Sequence, residues 1–583
     1  MADRHTPEPG RAGRRRAHVP SLAGILAQAA GQALQAVRNL LVGLLPAPDF
    51  VVLDVSGPLP ERHERVPRLH RWLGRKPALS LEEVRARLRR VAADPRVDGV
   101  VLKVHDLQAG FGALEALRAA LEAFRASEKH LAAYLPMADL PAYYVASAAH
   151  RLVVPESAEL ALLGPRTEVP FLRAALDRLG VLPQFHHIAE YKTAANRWLY
   201  PEMPAPQREM LTALLTDVFD HIVTAVASSR GLAPERVREA VDEGLLSAEA
   251  ARSRGLVDLV AFEDDLPRLL GRNGRSARLQ PWEQVARRLP VPVRRRDRQG
   301  RAIAVVQLVG AIVPGESREL PIPLPLLGRR LAGHETVARA FRAAERMDRV
   351  AAVVFHVDSP GGSAVASDLI WREVERVNRR KPVVVHMGSV AGSGGYYVSC
   401  AARRIVAART TLTGSIGVVA GKFSVRELAA KAGVRPEVIA LGATATMPSA
   451  TVPYTDREWA ALRRWMDEVY ARFKARVAAG RRLTPEAMEA VARGRMWTGA
   501  QALSHGLVDE LGDFEAAVRT ARELAGIPPE VDVPVVTVLP PRTVGLPVGP
   551  EAWGEALAAV GRLLAEPAWL LMPTQGTFRG VDG

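Results

Sequence analysis

The stretch VVVHMGSVAGSGGYYVSCAARRIVAARTTLTGSIG, residues 383–417, decides how this chain is read. Val383 to His386 has the apolar, β-branched character of a buried strand. Gly388 to Gly395 forms a glycine-rich turn, and a helix is expected to open at about Tyr396. Ser393 lies inside Ala391-Gly392-Ser393-Gly394-Gly395. A hydroxyl on a sharp strand-to-helix turn, next to residues without a Cβ, is open to a carbonyl carbon, and the N–H groups after it point the same way. Such turns also serve simply to let a helix lie close on a sheet, so the turn alone leaves both roles open. A second apolar run and the turn TLTGSIG (411–417) follow.

Working outward, the same pattern occurs earlier in the chain. AYYVASAAHRLVV (142–154) matches GYYVSCAARRIVA (395–407), and VDGVVLKVHD (97–106) matches VAAVVFHVD (350–358). Arg151 against Arg404 and Gly164 against Gly417 both give an offset of 253, and SRGLVD (253–258) against SHGLVD (504–509) gives 251. The chain is a tandem duplication of one α/β unit. In the first copy Val51 to Val55, Gly99 to Val104, His130 to Leu135 and Arg151 to Val154 read as strands. Leu81 to Ala93, Ala113 to Ser127, Ala142 to Ala149, 208–229 and 234–254 read as helices. This βαβ rhythm predicts a parallel sheet covered by helices in each copy.

The whole chain has 583 residues, 48% of them hydrophobic, which is more than one domain and ample apolar material for two cores. The net charge of +15 is carried mostly by arginine. No zinc-ligand spacing and no aromatics interleaved with a basic stripe accompany it, so neither nucleic acid nor a metal or other cofactor is expected. The single cysteine, Cys400, excludes an internal disulfide, and it reads as a small buried side chain.

The expected domains are a disordered basic arm (1–20), an amphipathic helix (21–47), the first repeat (48–271), an Arg- and Pro-rich linker (272–300), the second repeat (301–527) and a tail (528–583) with a short helix near 550–565 and an apolar AWLLMP (568–573). In the first helix Gln28, Gln32, Gln35 and Asn39 form a polar stripe opposite Leu22, Ile25, Leu26, Val37, Leu40, Leu41 and Leu44. That polarity suits a helix lying on a membrane rather than spanning it, or one packed on its own domain or a partner. The segment ELPIPLPLLG (319–328) reads as an apolar loop facing a membrane, an apolar peptide or a neighbouring subunit.

The differences between the copies locate the chemistry. Ser393 faces Leu140, and Gly361-Gly362 faces Gln108-Ala109. Only the second copy has both the serine and the turn DSPGG (358–362), whose glycine N–H groups, with that of Gly394, are placed to hold an oxyanion. His356 and His386 fall in strand patterns and His334 suggests no Ser–His–Asp order. The first copy instead supplies Lys192 in EYKTAANR (190–197), facing about Thr444 of the second. One copy has a lysine without the serine and the other a serine without the lysine, as one composite site between them would require. A lysine acts as a base only when neutral; its ordinary pKa is about 10.4 and burial lowers it by up to roughly 3–5 units.

DSPGG (358–362), AGSGGYYVS (391–399), TLTGSIG (411–417) and EYKTAANR (190–197) together resemble the signal peptide peptidase A (protease IV) family of serine peptidases, in its long tandem form. The resemblance covers roughly 50–525. It implies two ClpP/crotonase-like repeats, Ser393 as nucleophile, Lys192 as general base and Ser415 as the residue that orients the lysine. It also implies a homotetramer at a bacterial inner membrane that degrades signal-peptide remnants. Two other readings of the same fold are a crotonase-like acyl-CoA enzyme, against which the absence of Asp or Glu from 388–395 speaks, and a non-catalytic membrane scaffold.

Overall fold

The computed structural model describes residues 22–63, 77–292, 297, 299–324, 328–538 and 569–571. The basic arm expected at 1–20 and the helix expected at 550–565 lie outside them.

Each half is built on one parallel sheet. The first runs Leu279–Pro281, Phe50–Gly57, Gly99–Leu107, His130–Tyr134, Arg151–Val154, Leu259–Val260. The second repeats that order as Val535–Thr537, Ala302–Val309, Val350–Ser359, Val383–Gly392, Arg404–Ala407, Glu510–Leu511. All these pairs are parallel. Helices cover both faces, which is why the central strands are nearly continuous apolar runs: Ile303, Val305, Val353, Val354, Val384 and Val385 are fully buried.

The copies agree in detail. Tyr143 and Tyr396 donate their hydroxyls to the Leu256 and Leu507 carbonyls, each at 2.8 Å. Leu152 N and Ile405 N donate to Asp258 and Asp509, each at 2.7 Å. Long helices flank both sheets, Ala205–Arg230 in the first copy and Asp456–Arg481 in the second. The latter opens with a reciprocal cap between Thr455 and Glu458. Ala205–Arg230 is long and apolar enough to cross a membrane, yet Met210, Leu214, Val218, Ile222 and Val226 are buried in the protein, as in a core helix.

Several boundaries differ from the sequence reading. The expected linker 272–300 contributes the edge strand Leu279–Pro281 and buries Trp282, Val285 and Leu289 in the first core. Its arginine-rich partner helix conceals this, because the Arg90 guanidinium lies over the Trp282 ring (5.2 Å) and donates to Leu289 O (2.8 Å). The second repeat likewise extends past 527 to the edge strand Val535–Thr537. The helix expected over 234–254 is broken at Gly244, where φ is +81°, into Pro234–Glu243 and Ala248–Ser253. The segment 319–328 is not an open loop: Arg318–Leu324 pairs antiparallel with Gly328–Gly333, with 325–327 outside the described residues.

The helix Leu22–Gly43 meets the protein through the C-terminal part of its polar stripe. Asn39 grips Val291 through both backbone groups (Nδ2 to O 2.8 Å, N to Oδ1 3.1 Å), and Gln35 donates to Asn39 (3.0 Å). Leu34, Val37, Leu40, Leu41 and Leu44 are exposed. Val42 alone of the apolar residues from Leu34 to Leu44 is buried against the protein.

A third, mixed sheet runs from one copy into the other: Arg318–Leu324, Gly328–Gly333, Ala311–Val313, Gly361–Ser363, Trp569–Leu571, Val419–Ser424, Leu182–His187. Its last pair joins the two halves and brings the 190–197 segment to the end of the second parallel sheet.

Candidate active site

The strand expected to end at His386 runs on to Gly392, and the helix opens at Gly394, so Ser393 alone makes the turn. It does so at φ 52°, ψ −112°, held by its N–H donating to Gly414 O at 2.7 Å. A non-glycine residue there stores strain of order 1–3 kcal/mol. The glycines beside it are required by approach. A Cβ on Gly394 would lie 2.7 Å from Ser367 Oγ, and one on Gly395 2.8 Å from Ser359 O.

Lys192 is fully buried. It follows the strand Leu182–His187 through a turn in which Ala189 has φ +66°. Tyr191 N donates to Arg493 O (3.2 Å), and Glu190 pairs with Arg493 (2.7 Å), so the first-copy segment is clamped to the second copy. Gly417 and Gly494 form the slot: a Cβ on Gly494 would lie 2.5 Å from Lys192 N, and one on Gly417 3.1 Å from its Cδ.

The Nζ of Lys192 lies 2.7 Å from Ser393 Oγ, 2.9 Å from Ser415 O and 3.0 Å from Ser415 Oγ. A neutral amine has two N–H donors and one lone pair, so it can donate twice to Ser415 and accept from the Ser393 hydroxyl. Among the described residues no carboxylate pairs with it. Burial alone pushes the Lys192 pKa well below the ordinary lysine value. Ser415 is itself fixed at φ 52° by its N–H donating to Arg495 O at 2.7 Å. Ser415→Ala leaves the carbonyl contact and removes the hydroxyl one. A fall of about 10-fold in kcat/KM is expected, with the pH profile kept, since a buried hydrogen bond contributes on the order of 1–1.5 kcal/mol. Unchanged steady-state kinetics would remove Ser415 Oγ from any orienting role.

The turn Gly361-Gly362 lies against the Ser393 turn: a Cβ on Gly394 would be 3.1 Å from Gly361 Cα and 3.2 Å from Gly362 N. Of the three glycines expected to donate to an oxyanion, Gly361 already gives its N–H to Ser359 Oγ at 3.1 Å. That leaves Gly362 and Gly394. The same strand, Gly361–Ser363, pairs antiparallel with the backbone of Trp569–Leu571, so an extended chain fits alongside it.

The histidines are core residues. His356 and His386 stack on each other, with Nδ1 atoms 2.9 Å apart, and both are buried. Burial, with Arg62 and Arg85 nearby, pushes His356 down to about 4, so it is neutral. His334 accepts from Gly315 N (3.0 Å). Cys400 is buried and its thiol is pushed up to about 12 by that burial.

Residues that sequence reasoning missed hold the loops rather than the chemistry. The Glu115 carboxylate of the first copy accepts from Arg409 N (2.9 Å), Thr410 N (3.0 Å) and Thr410 Oγ1 (2.8 Å), anchoring the strand that leads to Ser415. Ser389 Oγ accepts from Ala113 N (3.2 Å). Nothing in one sequence marks either contact, and the φ of +80° at Gly494 shows only in the structure.

The duplicated parallel-sheet α/β fold places a buried amine against a strained serine, the parts a serine peptidase would need. The model of peptidase family S49 matches residues 123–272 and 375–528. The chain is 30% identical to the chloroplastic serine protease SPPA of Arabidopsis thaliana over 87% of its own length and 74% of that protein's. It is also 30% identical to Protease 4 of Haemophilus influenzae, over 74% and 71% of the two chains. A ClpP1 mutant from Listeria monocytogenes aligns with 37% of this chain and 94% of its own at 14% identity and a TM-score of 0.23. This chain belongs to peptidase family S49, with two family regions in tandem.

Proposed function

We propose that this peptidase works through Ser393 and Lys192, on short, extended, apolar peptides at a membrane surface. The observation that carries the reading is the 2.7 Å contact between Lys192 Nζ and Ser393 Oγ, with no acid paired to the amine among the described residues. The Lys192 lone pair takes the Ser393 proton as Oγ bonds to the peptide carbonyl carbon. The N–H groups of Gly362 and Gly394 hold the oxyanion. The C–N bond then breaks, and the lysine ammonium returns its proton to the leaving amine. In the second half-reaction Lys192 takes a proton from water as hydroxide adds to the ester; the acyl–oxygen bond then breaks and the lysine ammonium returns that proton to Oγ, restoring Ser393 and neutral Lys192.

The exposed apolar side chains of the helix Leu22–Gly43 support a membrane-surface location. The backbone pairing of Trp569–Leu571 with Gly361–Ser363 supports an extended substrate. Signal-peptide remnants fit both features and the motif resemblance.

The test is fluorophosphonate labelling with hydrolysis of a fluorogenic peptide bearing an apolar P1 residue. Wild type is expected to label at Ser393 and turn over, and Ser393→Ala to do neither. Labelling at another serine, or turnover surviving Ser393→Ala, overturns the assignment.

A further inference from the structure

Ser393 and Ser415 are both held at a φ of 52°, and each is pinned by one backbone carbonyl. Ser393 N donates to Gly414 O and Ser415 N to Arg495 O, each at 2.7 Å. The two carbonyls sit on one antiparallel pair and its edge. Leu412–Gly414 lies against Met496–Thr498, with Gly414 opposite Met496, and Arg495 is the residue before the second strand. Lys192 takes its aim from Ser415, whose carbonyl and hydroxyl receive its two N–H bonds. What holds Arg495 in place therefore bears on where the lysine lone pair points.

The first copy holds it. The helix Ala205–Arg230 turns Glu209, Met210 and Asp217, two turns apart on one face, to the strand Met496–Thr498 and its edge. Glu209 accepts from the Arg495 guanidinium at 2.8 Å, Met210 Sδ accepts from Met496 N at 3.2 Å, and Asp217 accepts from Thr498 Oγ1 at 2.5 Å. Glu209 also accepts from the Tyr191 hydroxyl at 3.0 Å, and the Arg495 guanidinium lies over the Tyr191 ring at 4.6 Å. Tyr191 is the residue before Lys192. One carboxylate thus ties the chain that carries the lysine to the residue that pins Ser415. The hydrogen bond from Arg495, then that from Tyr191, holds the Glu209 carboxyl below the usual carboxylate range, so it is charged at neutral pH. The helix Asp456–Arg481 matches at an offset of 251 and has Ala460 and Ala461 where Glu209 and Met210 stand. These two gripping side chains are present in the copy that supplies Lys192 and absent from the copy that supplies Ser393.

We infer that Glu209 is a positioning residue for the Ser393–Lys192 pair, acting through Arg495 and Tyr191 to fix the Ser415 turn and the lysine segment relative to each other. The inference rests on that pair being the reacting one. Glu209 is bonded to Tyr191 and Arg495 rather than to the amine or the serine, so it takes no part in proton transfer. It sets where the acceptors of the amine stand. As a stabiliser of the fold the ion pair is poor. The Glu209 side chain is 56% exposed and that of Arg495 21%, and a pair so open to water adds little to the free energy of folding. Its effect falls on kcat, where a small displacement of Ser415 turns the lone pair away from Oγ. Glu190 and Arg493 clamp the same segment at 2.7 Å, so it stays docked when Glu209 is removed.

The test compares full-length wild type with Glu209→Ala, Glu209→Gln, Arg495→Ala and the double variant Glu209→Ala/Arg495→Ala. Each is read by steady-state hydrolysis of the fluorogenic peptide, by the rate of fluorophosphonate labelling at Ser393 and by thermal melts. Glu209→Ala is expected to lower kcat and the labelling rate together by about 10-fold, within the range of coupling inside one charge network. Its KM is expected to stay within about twofold of wild type, and its melting temperature within about 3 °C. Glu209→Gln keeps an acceptor oxygen and is expected to recover part of both rates. The double variant is expected to be no slower than Arg495→Ala, because the two side chains act as one unit. A Glu209→Ala whose kcat stays within about twofold of wild type, a rise in KM with kcat kept, or losses that add in the double variant overturns the positioning role and leaves the Ser393–Lys192 pair standing. A lowered melt with Glu209→Gln no better than Glu209→Ala assigns Glu209 to the fold and overturns the role as well. A wild type that does not label at Ser393 overturns the pair, and the positioning role with it.

Discussion

Lys192→Met is expected to lower kcat/KM for peptide hydrolysis by about 10,000-fold or more, in line with removal of a base from a serine nucleophile, while raising the stability of the fold. The loss follows because, among the described residues, Ser415 and Ser393 are the polar partners at the amine and no histidine bonds to the serine. The gain follows from burial. The folded-state pKa of Lys192 lies below its unfolded value because the charge is desolvated without a carboxylate to offset it. Between those two values the unfolded chain binds the extra proton, so wild-type stability rises with pH across that window and is least below the folded pKa. Methionine fills similar volume without a charge and removes that dependence. Wild-type activity is expected to rise through the lowered pKa and reach its plateau well before pH 10. Thermal melts and pH–rate profiles of both proteins check this together. A wild-type rise centred near the ordinary lysine value would mean that the amine is charged at rest and the site is not as dry as its burial indicates.

Gly362→Ala is expected to cost about 100- to 1,000-fold in kcat, the effect of displacing one oxyanion donor, with a loss of stability as well. A Cβ at this position would lie 2.0 Å from Ile312 O, on the neighbouring strand, at a φ of +153°. The clash is with backbone, so relief moves either the strand Gly361–Ser363 or Ala311–Val313, and the N–H beside Gly394 moves with it. Fluorophosphonate labelling separates the effects, since Ser393 and Lys192 stay in contact while the transition state loses its donor. If kcat stays within threefold of wild type, Gly362 is not an oxyanion donor.

The parallel strands were legible because apolar runs such as VAAVVFHVD need cover on both faces, and the duplication because its two offsets hold over long stretches. The candidate serine was legible from local chemistry: a turn too tight for side chains needs glycine on one side, and Gly394 and Gly395 are there in only one copy. Edge strands escaped notice. Leu279–Pro281 and Val535–Thr537 are three residues each, too short to show a period, and lie in proline- and charge-rich sequence that reads as linker or tail.

The two copies, the serine and the candidate lysine could be read along the chain, because turn chemistry and complementary losses are local facts about residues. That the two residues meet is a consequence of the fold. Lys192 and Ser393 are 201 positions apart. What closes that separation is the antiparallel pairing of Leu182–His187 with Val419–Ser424 and a slot cut by Gly417 and Gly494. A strand pairing between halves, and the loss of water around one amine that follows from it, are properties of packing that no spacing along the chain encodes.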